Sequence, residues 1–488
     1  MREPTMGAEG SGMDMDAEAF RRHGYAVVDR MAAYLSDPTV WPVLPHLEPG
    51  SVRSSLPASA PAEGEPFERI LADYDRLIPG ATTHWNHPGF MAYFAITGSG
   101  PGILAEALAS SLNVNAMLWR TGPAATELEE VTTGWLLGLL GLPRDWDGTI
   151  NDTASTSTLY ALAAARESAD PESRRKGLAG RPELPRLRVY CSEEAHSSVD
   201  KAALTLGLGL DGLRRLPTDG LFRLDVGALE AAIAADRAAG IRPMAVVATV
   251  GTTSVTAVDP VPRIAEVCER EGLWLHVDAA YGGAAAVVPE LRGVLAGCER
   301  ADSLVVNPHK WLFVPVDCSV LYTRRPNVLK RAFSLVPEYL TTPEGDRVKN
   351  LMDYGVALGR RFRSLKLWFV LRYFGAAGLA DRIREHLRLA RLFASWVDGD
   401  PAWERVAPAD FSVVVFRSRP PGVADPAALD AHNMAVLERV NGSGEVMLSH
   451  TRVRERIALR LAVGNLRTQE RHVRRAWELL RGAAVEAS

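Results

Sequence analysis

From about residue 100 to residue 330 the chain alternates short apolar runs with stretches of helical periodicity. The runs cover 187–191, 244–250, 273–277, 303–306 and 319–322, and helical spacing marks 154–166, 226–238 and 262–270. A strand with one wet face alternates apolar and polar residues. These runs stay largely apolar, so both faces of each strand must be covered. Helices between successive strands provide that cover, which predicts an α/β fold with a mainly parallel central sheet and helices on both faces. Such a sheet collects ligands beyond the carboxyl ends of its strands, so the residues that stop each run are candidates for chemistry.

The rest of the chain is organised around that sheet. Phe20, Tyr25, Val28, Met31 and Leu35 recur at helical spacing over 17–35. Seven prolines between 36 and 66 then predict an extended arm, of the kind that lies across another domain or subunit. Beyond 365 an amphipathic stretch carries Leu387, Leu389, Leu392, Phe393 and Trp396 on one face. With strands at 411–416 and 457–463 and a helix at 468–480, it predicts a small α+β unit. The boundaries read 1–99 for a helical arm and dimerisation segment, 100–367 for the large domain and 368–488 for the small one. The polar segment 341–350 reads as a mobile loop.

The 488 residues, 47% of them hydrophobic, are enough for this much core. A net charge of −4 argues against a nucleic-acid partner. No apolar stretch approaches the ~18 residues a membrane helix needs, and the acidic N-terminus without an apolar core reads as cytoplasmic. Cys191, Cys268, Cys298 and Cys318 are widely spaced, which reads as four reduced, buried thiols rather than a metal site or a disulfide framework.

Polar residues follow the apolar runs at His196 (EEAHSS), Thr252 and Thr253 (VGTT), Asp278 (HVDAAYGG) and Asn307 to Lys310 (NPHKW); a hydroxyl-rich turn, NDTASTST, opens the helix at 154. Lys310 stands between Val305 and Val306 on one side and Trp311, Leu312 and Phe313 on the other. Such a setting lowers an amine's pKa and makes it a competent Schiff-base nucleophile. Asp278 at a strand end suits a protonated pyridine nitrogen. The TASTST turn offers amides and hydroxyls to a phosphate, and His196 a ring to stack. Singly, each has an ordinary explanation as surface lysine, helix cap or structural histidine. Their order on successive strand ends points to a pyridoxal phosphate site. TGSGPG (97–102) reads as a turn, and RRFRSLK (360–366) as a solvated or intersubunit helix face in preference to an anion patch.

These segments resemble the group II pyridoxal-phosphate decarboxylases, and among them the aromatic-L-amino-acid decarboxylases. The resemblance runs through HPGFMAYF (87–94), PAATELE (123–129), DTASTSTL (152–159), EEAHSSVDKA (193–202), VATVGTT (247–253), HVDAAYGG (276–283), NPHKW (307–311), LGRRFRSLK (358–366) and RRAWELL (474–480). It implies the aspartate-aminotransferase-like fold (fold type I) with a seven-stranded large domain, an obligate homodimer, and decarboxylation of tryptophan, tyrosine, phenylalanine or dopa. Lys310 would hold the cofactor through a Schiff base, Asp278 would bind the ring nitrogen, and His196 and Ala280 would flank the ring. Ala154, Ser155, Asn307 and His309 would line the phosphate or its surroundings, and Thr253 would contact the cofactor. Tyr339 matches the family's mobile-loop tyrosine. Trp85, Phe90, Tyr93 and Phe94 would shape the substrate pocket, with Met117 or Trp119 from the partner subunit.

Two positions depart from the pattern. Asp152 stands where relatives often have glycine and is expected to cap the following helix. Ala95 and Ile96 replace Pro-Thr beside the substrate carboxylate, which leaves Thr97 as the expected donor. On the same fold the alternatives are a decarboxylase of glutamate, cysteine sulfinate or histidine, or an aromatic aldehyde synthase. A non-catalytic binding protein is the alternative from another class.

Overall fold

The structure, a computed structural model, describes residues 14–335 and 343–487. Its strands are β1 (Asp147–Asn151), β2 (Leu187–Ser192), β3 (Leu213–Leu216), β4 (Arg242–Thr249), β5 (Trp274–Asp278), β6 (Ser303–Val306), β7 (Ser319–Thr323), β8 (Trp403–Arg405), β9 (Val413–Ser418), β10 (Ser449–Val453) and β11 (Arg456–Ala462). Four helices matter most for the site: α1 (Ala17–Ser36), α2 (Gly100–Leu112), α3 (Ala154–Ala169) and α4 (Ser364–Gly399).

The large sheet has the order β1-β7-β6-β5-β4-β2-β3. Only β7 runs against the others, pairing antiparallel with both β1 and β6. The carboxyl ends of β1, β2, β4, β5 and β6 therefore open on one edge, where their following turns converge. Residues such as Tyr190, Val246, Val277, Leu304 and Tyr322 fill the space between sheet and helices and are fully buried. This explains why the sequence could show β2 and β4 to β7 as apolar runs. β1 (DGTIN) escapes that signal because its second residue is Gly148, where an added Cβ would stand 2.6 Å from Thr133 Cβ. β3 (LRRL) is an edge strand with two arginines and shows no apolar run either.

The small sheet is antiparallel, in the order β10-β11-β9-β8. Its core joins Phe393 of α4, Phe416 of β9, Trp403 of β8 and Leu480 of the last helix, Glu470–Glu486. The boundary expected at 367/368 falls inside α4, which is interrupted at Gly375 with φ 63° and ψ 175°, a conformation open essentially to glycine alone. TGSGPG turns directly into α2, with Ser99 at the N-cap position and Pro101 in the first turn.

RRFRSLK is mostly an internal ion-pair segment, with Arg361 as its exposed member. Lys366 is 1% exposed and lies 2.7 Å from Glu106. Arg360 pairs with buried Glu129 at 3.1 Å, and Arg363 forks onto Asp317 at 2.8 and 3.1 Å. The segment ties the start of α4 to α2 and to the loop before β7; Arg360, Arg363 and Lys366 are withdrawn from solvent with an acid facing each, and Arg361 meets Glu106 at the surface. All four cysteines are free and buried.

Candidate active site

The edge where the strands open is built from backbone outward. Asp278 closes β5: its carbonyl accepts the Val250 amide at 2.8 Å, and the following Ala279 amide reaches the Val305 carbonyl at 3.0 Å. Sheet neighbours on both sides thus hold the carboxylate in place. Oδ1 accepts the Ala280 amide at 3.1 Å, which leaves Oδ2 for a ligand. After β6, Asn307 donates its amide to the Ala280 carbonyl (3.1 Å), and the single helical turn Pro308–Trp311 carries His309 and Lys310. The Asn307 side-chain Oδ1 is buried and has no partner among the described residues.

Lys310 Nζ sits 4.9 Å from the centre of the Phe94 ring. Burial lowers its pKa, and the attraction of Asp278 opposes that shift only in part. The amine is thereby brought toward its neutral, nucleophilic form. His196 Nδ1 accepts the Ser198 amide (3.1 Å), so its proton resides on Nε2. Burial lowers the pKa of His196 as well, with Asp278 raising it and Lys310 lowering it further. His309 accepts the Cys318 amide on Nδ1 (2.8 Å) and is brought down to about 4, chiefly by burial and then by Lys310. Both imidazoles are neutral Nε2–H donors near neutral pH.

β1 delivers the turn into α3. Thr153 is the N-cap: its hydroxyl accepts the Thr156 amide and its carbonyl that of Ser157. The amides of Ala154 and Ser155 remain for an anion, reinforced by the positive end of the helix. Asp152 does not cap the helix as expected; its Oδ1 turns back onto the Thr153 amide at 2.6 Å. Of the VGTT pair, Thr252 is structural, its hydroxyl accepting the Ala257 amide (3.0 Å), while Thr253 is exposed. Ala280 is buried beside Asp278.

The substrate wall comes from 85–97. Trp85 and Tyr93 are exposed, with ring centres 5.9 Å apart. Phe90 is fully buried and packs 4.3 Å from Trp85, so it supports the wall from behind. Phe94 stacks on Tyr281 at 4.0 Å, and Tyr281 on Trp311 at 4.9 Å. Thr97 is buried and gives its hydroxyl proton to Asn86 Oδ1 (3.0 Å), which removes it as the donor expected for a substrate carboxylate. Met117 and Trp119 are tied to the 350–352 segment: the Met352 amide donates to the Met117 carbonyl (3.0 Å) and the Trp119 amide to Asn350 Oδ1 (3.1 Å). Tyr339 lies outside the described residues.

One site residue was missed in the sequence. Arg460 of β11 is 4% exposed, and its guanidinium carbon lies 5.6 Å from the Phe94 ring centre. It donates to the Ser254 carbonyl (2.9 Å), the Thr253 carbonyl (2.8 Å) and Ser449 Oγ (3.1 Å). Ser449 Oγ also accepts the Tyr93 amide (3.1 Å), holding a residue whose φ of +53° is unfavourable for a bulky side chain. The signal was available: an arginine inside the apolar run IALRLAV is as conspicuous as Lys310 between its own apolar flanks.

This edge offers an amine to a carbonyl, a carboxylate to a pyridinium nitrogen, free backbone amides to a phosphate, and an unpartnered buried amide oxygen to a donor beside them. Those are the needs of pyridoxal phosphate. The family model of the pyridoxal-dependent decarboxylase conserved domain matches residues 49–419. A tryptophan decarboxylase of Camptotheca acuminata is 41% identical over 481 residues, covering 96% of this chain and 95% of its own length. An aromatic-L-amino-acid decarboxylase of Sus scrofa is 40% identical over 97% of both chains. The crystal structure of Oryza sativa TDC with PLP and tryptamine superposes with a TM-score of 0.93 at 38% identity, covering 97% of this chain and 99% of that one. The chain belongs to the pyridoxal-dependent decarboxylase family, and its cofactor is pyridoxal phosphate.

Proposed function

We propose that this protein removes the carboxyl group of an aromatic L-amino acid as CO2 and releases the amine, with tryptophan, tyrosine, phenylalanine and dopa as the candidate substrates. The observation that carries this reading is the aromatic surround of the buried amine: Phe94 lies 4.9 Å from Lys310 Nζ and is backed by Tyr281 and Trp311. An indole or phenol ring gains contact area there, and a glutamate or sulfinate side chain would bury its charge against rings. The named relatives act on such substrates.

Bound pyridoxal phosphate supplies an electron sink for the pair left behind when CO2 departs. The protein's part is to hold, orient and move protons. Lys310 Nζ would hold the cofactor, its amine brought toward the neutral, nucleophilic form by burial. Asp278 Oδ2 would keep a proton on the ring nitrogen. The Ala154 and Ser155 amides, with Asn307 and His309 Nε2–H, would hold the phosphate end. His196 and Ala280 would flank the ring, and Thr253 would contact it. Trp85, Tyr93 and Phe94 orient the side chain, with Phe90 behind them.

A homodimer and a cytoplasmic setting belong to the same reading. Phe20, Tyr25 and Val28 of α1 and Leu104, Leu108 and Leu112 of α2 are exposed, an apolar load that suits a second copy of the chain. Four unpaired thiols suit a reducing compartment. We also retain the division into arm, large domain and small domain.

The test is CO2 release by the holoenzyme across the twenty amino acids, expected for aromatic substrates and overturned by preference for an acidic one. Lys310→Ala should abolish turnover and the borohydride-reducible link to the cofactor. A normal link in that variant would overturn the lysine's assignment.

A further inference from the structure

Next to Lys310 in the chain, Trp311 is fully buried and donates its indole N–H to His386 Nδ1 at 3.0 Å. An acceptor at Nδ1 must carry its proton on Nε2, and that nitrogen lies 3.1 Å from the Asn465 carbonyl. His386 is therefore a neutral imidazole of fixed tautomer, and burial holds its pKa down to about 4. Asn465 continues the line: its side-chain amide donates to the carbonyls of Trp85 (3.1 Å) and His87 (3.0 Å). Thr468 adds a bond to the Pro88 carbonyl (2.8 Å). Beside Asn465, Gly464 passes so close to the wall that an added Cβ would stand 2.4 Å from the Ala95 carbonyl oxygen.

We propose that His386, which touches neither cofactor nor substrate, is a positioning residue that sets the distance between Lys310 and the aromatic wall headed by Trp85. The inference rests on the reading of that wall as the substrate pocket. Trp311 and the 85–88 segment lie far apart in sequence, and the wall has two ties to the lysine turn. One is the ring stack Trp311–Tyr281–Phe94. The other is Trp311–His386–Asn465, which ties the lysine turn to the Trp85 and His87 carbonyls, beside the bonds that Thr468 makes to Pro88 and His84 to Val43. A stack tolerates sliding, whereas two hydrogen bonds through one rigid ring fix both distance and direction. Loss of the imidazole should therefore loosen the wall while leaving the lysine turn held by its own sheet contacts.

The test compares wild type, His386→Leu, His386→Gln and Asn465→Ala as holoenzymes. Leucine removes donor and acceptor together; glutamine retains both. In His386→Leu, KM for the preferred aromatic substrate should rise about tenfold with kcat changed less than about threefold. Amide hydrogen exchange of the 84–94 segment should accelerate. His386→Gln should restore both readouts most of the way, and Asn465→Ala should reproduce the KM rise and the faster exchange. Should His386→Leu fail to fold, the glutamine and Asn465→Ala pair decides the matter.

Unchanged exchange in 84–94, or an unchanged KM, in a folded His386→Leu or Asn465→Ala overturns the proposal. So does a loss confined to kcat. If wild type releases CO2 from no aromatic amino acid, the substrate reading fails, and the exchange measurement still judges the link between His386 and the wall.

Discussion

Asp278 and Lys310 share one small volume, yet each is held by different neighbours. The carboxylate gains its place from β4 and β6 and the lysine from the turn after β6, so either can be altered without dismantling the other. Asp278→Asn keeps the shape and the Ala280 contact while removing the charge that favours a protonated ring nitrogen. Turnover should fall by about 10²-fold or more with cofactor still bound, the size expected for losing one well-placed electrostatic group. Near-normal kcat in a cofactor-saturated variant would refute that role. Tyr339 is expected to deliver the proton that completes the amine. Tyr339→Phe should therefore keep releasing CO2 while oxygen uptake, aldehyde and ammonia replace the amine. An unchanged amine yield would transfer the proton to His196 or to water. Arg460 shows how a site residue hides: in a strand whose neighbours are Leu459 and Leu461, the apolar run draws the eye and the charge within it passes as an interruption.

The break in α4 makes a sharper prediction than any of its contacts. Gly375 has no atom near the position a Cβ would take, so substitution there meets no clash. Its φ of 63° with ψ of 175° is nevertheless closed to other residues. Gly375→Ala should lower stability by roughly 1–3 kcal/mol, visible as a reduced unfolding midpoint. An unchanged midpoint would mean that the helix reforms straight through the break. Elements with both faces covered were legible in the sequence, which is why β2 and β4 to β7 and the helices around them could be read. β1, β3, β8 and β10 were not, since a short strand with glycine, arginine or alternating polar residues looks like a loop until its partners are known. The strand-end residues were legible for the same reason as the strands. The Thr97–Asn86 bond and the Trp311–His386–Asn465 line were not, because nothing in local sequence announces which distant group a buried polar atom will meet.

Acid should weaken this molecule before its carboxylates alone would. His87, His276, His309 and His386 are buried and held near a pKa of about 4 by loss of solvation. Unfolded, each returns to about 6.5. Between those values the unfolded chain binds the extra protons, so stability falls as pH drops from about 6.5 toward 4, by about 1.4 kcal/mol per pH unit for each proton. Asp259, raised to about 6 by burial, works in the opposite direction. His84, His196 and His472 are also lowered, and Glu130, Glu194 and Asp302 are also raised by burial; with seven imidazoles against four carboxyls, the net sign is loss of stability on acidification. Denaturation midpoints at pH 7, 6 and 5 should decline in that order, and equal midpoints would refute the balance. The positions of the four thiols have a practical consequence. Cys191 lies in β2, Cys268 in the helix Val261–Glu271, Cys298 just before β6 and Cys318 immediately before β7; all are buried with raised pKa values, and none belongs to the small sheet. An alkylating reagent added to the native enzyme must wait for the larger sheet to open, so its uptake is a clock for that event alone, blind to any loosening of the four-stranded half.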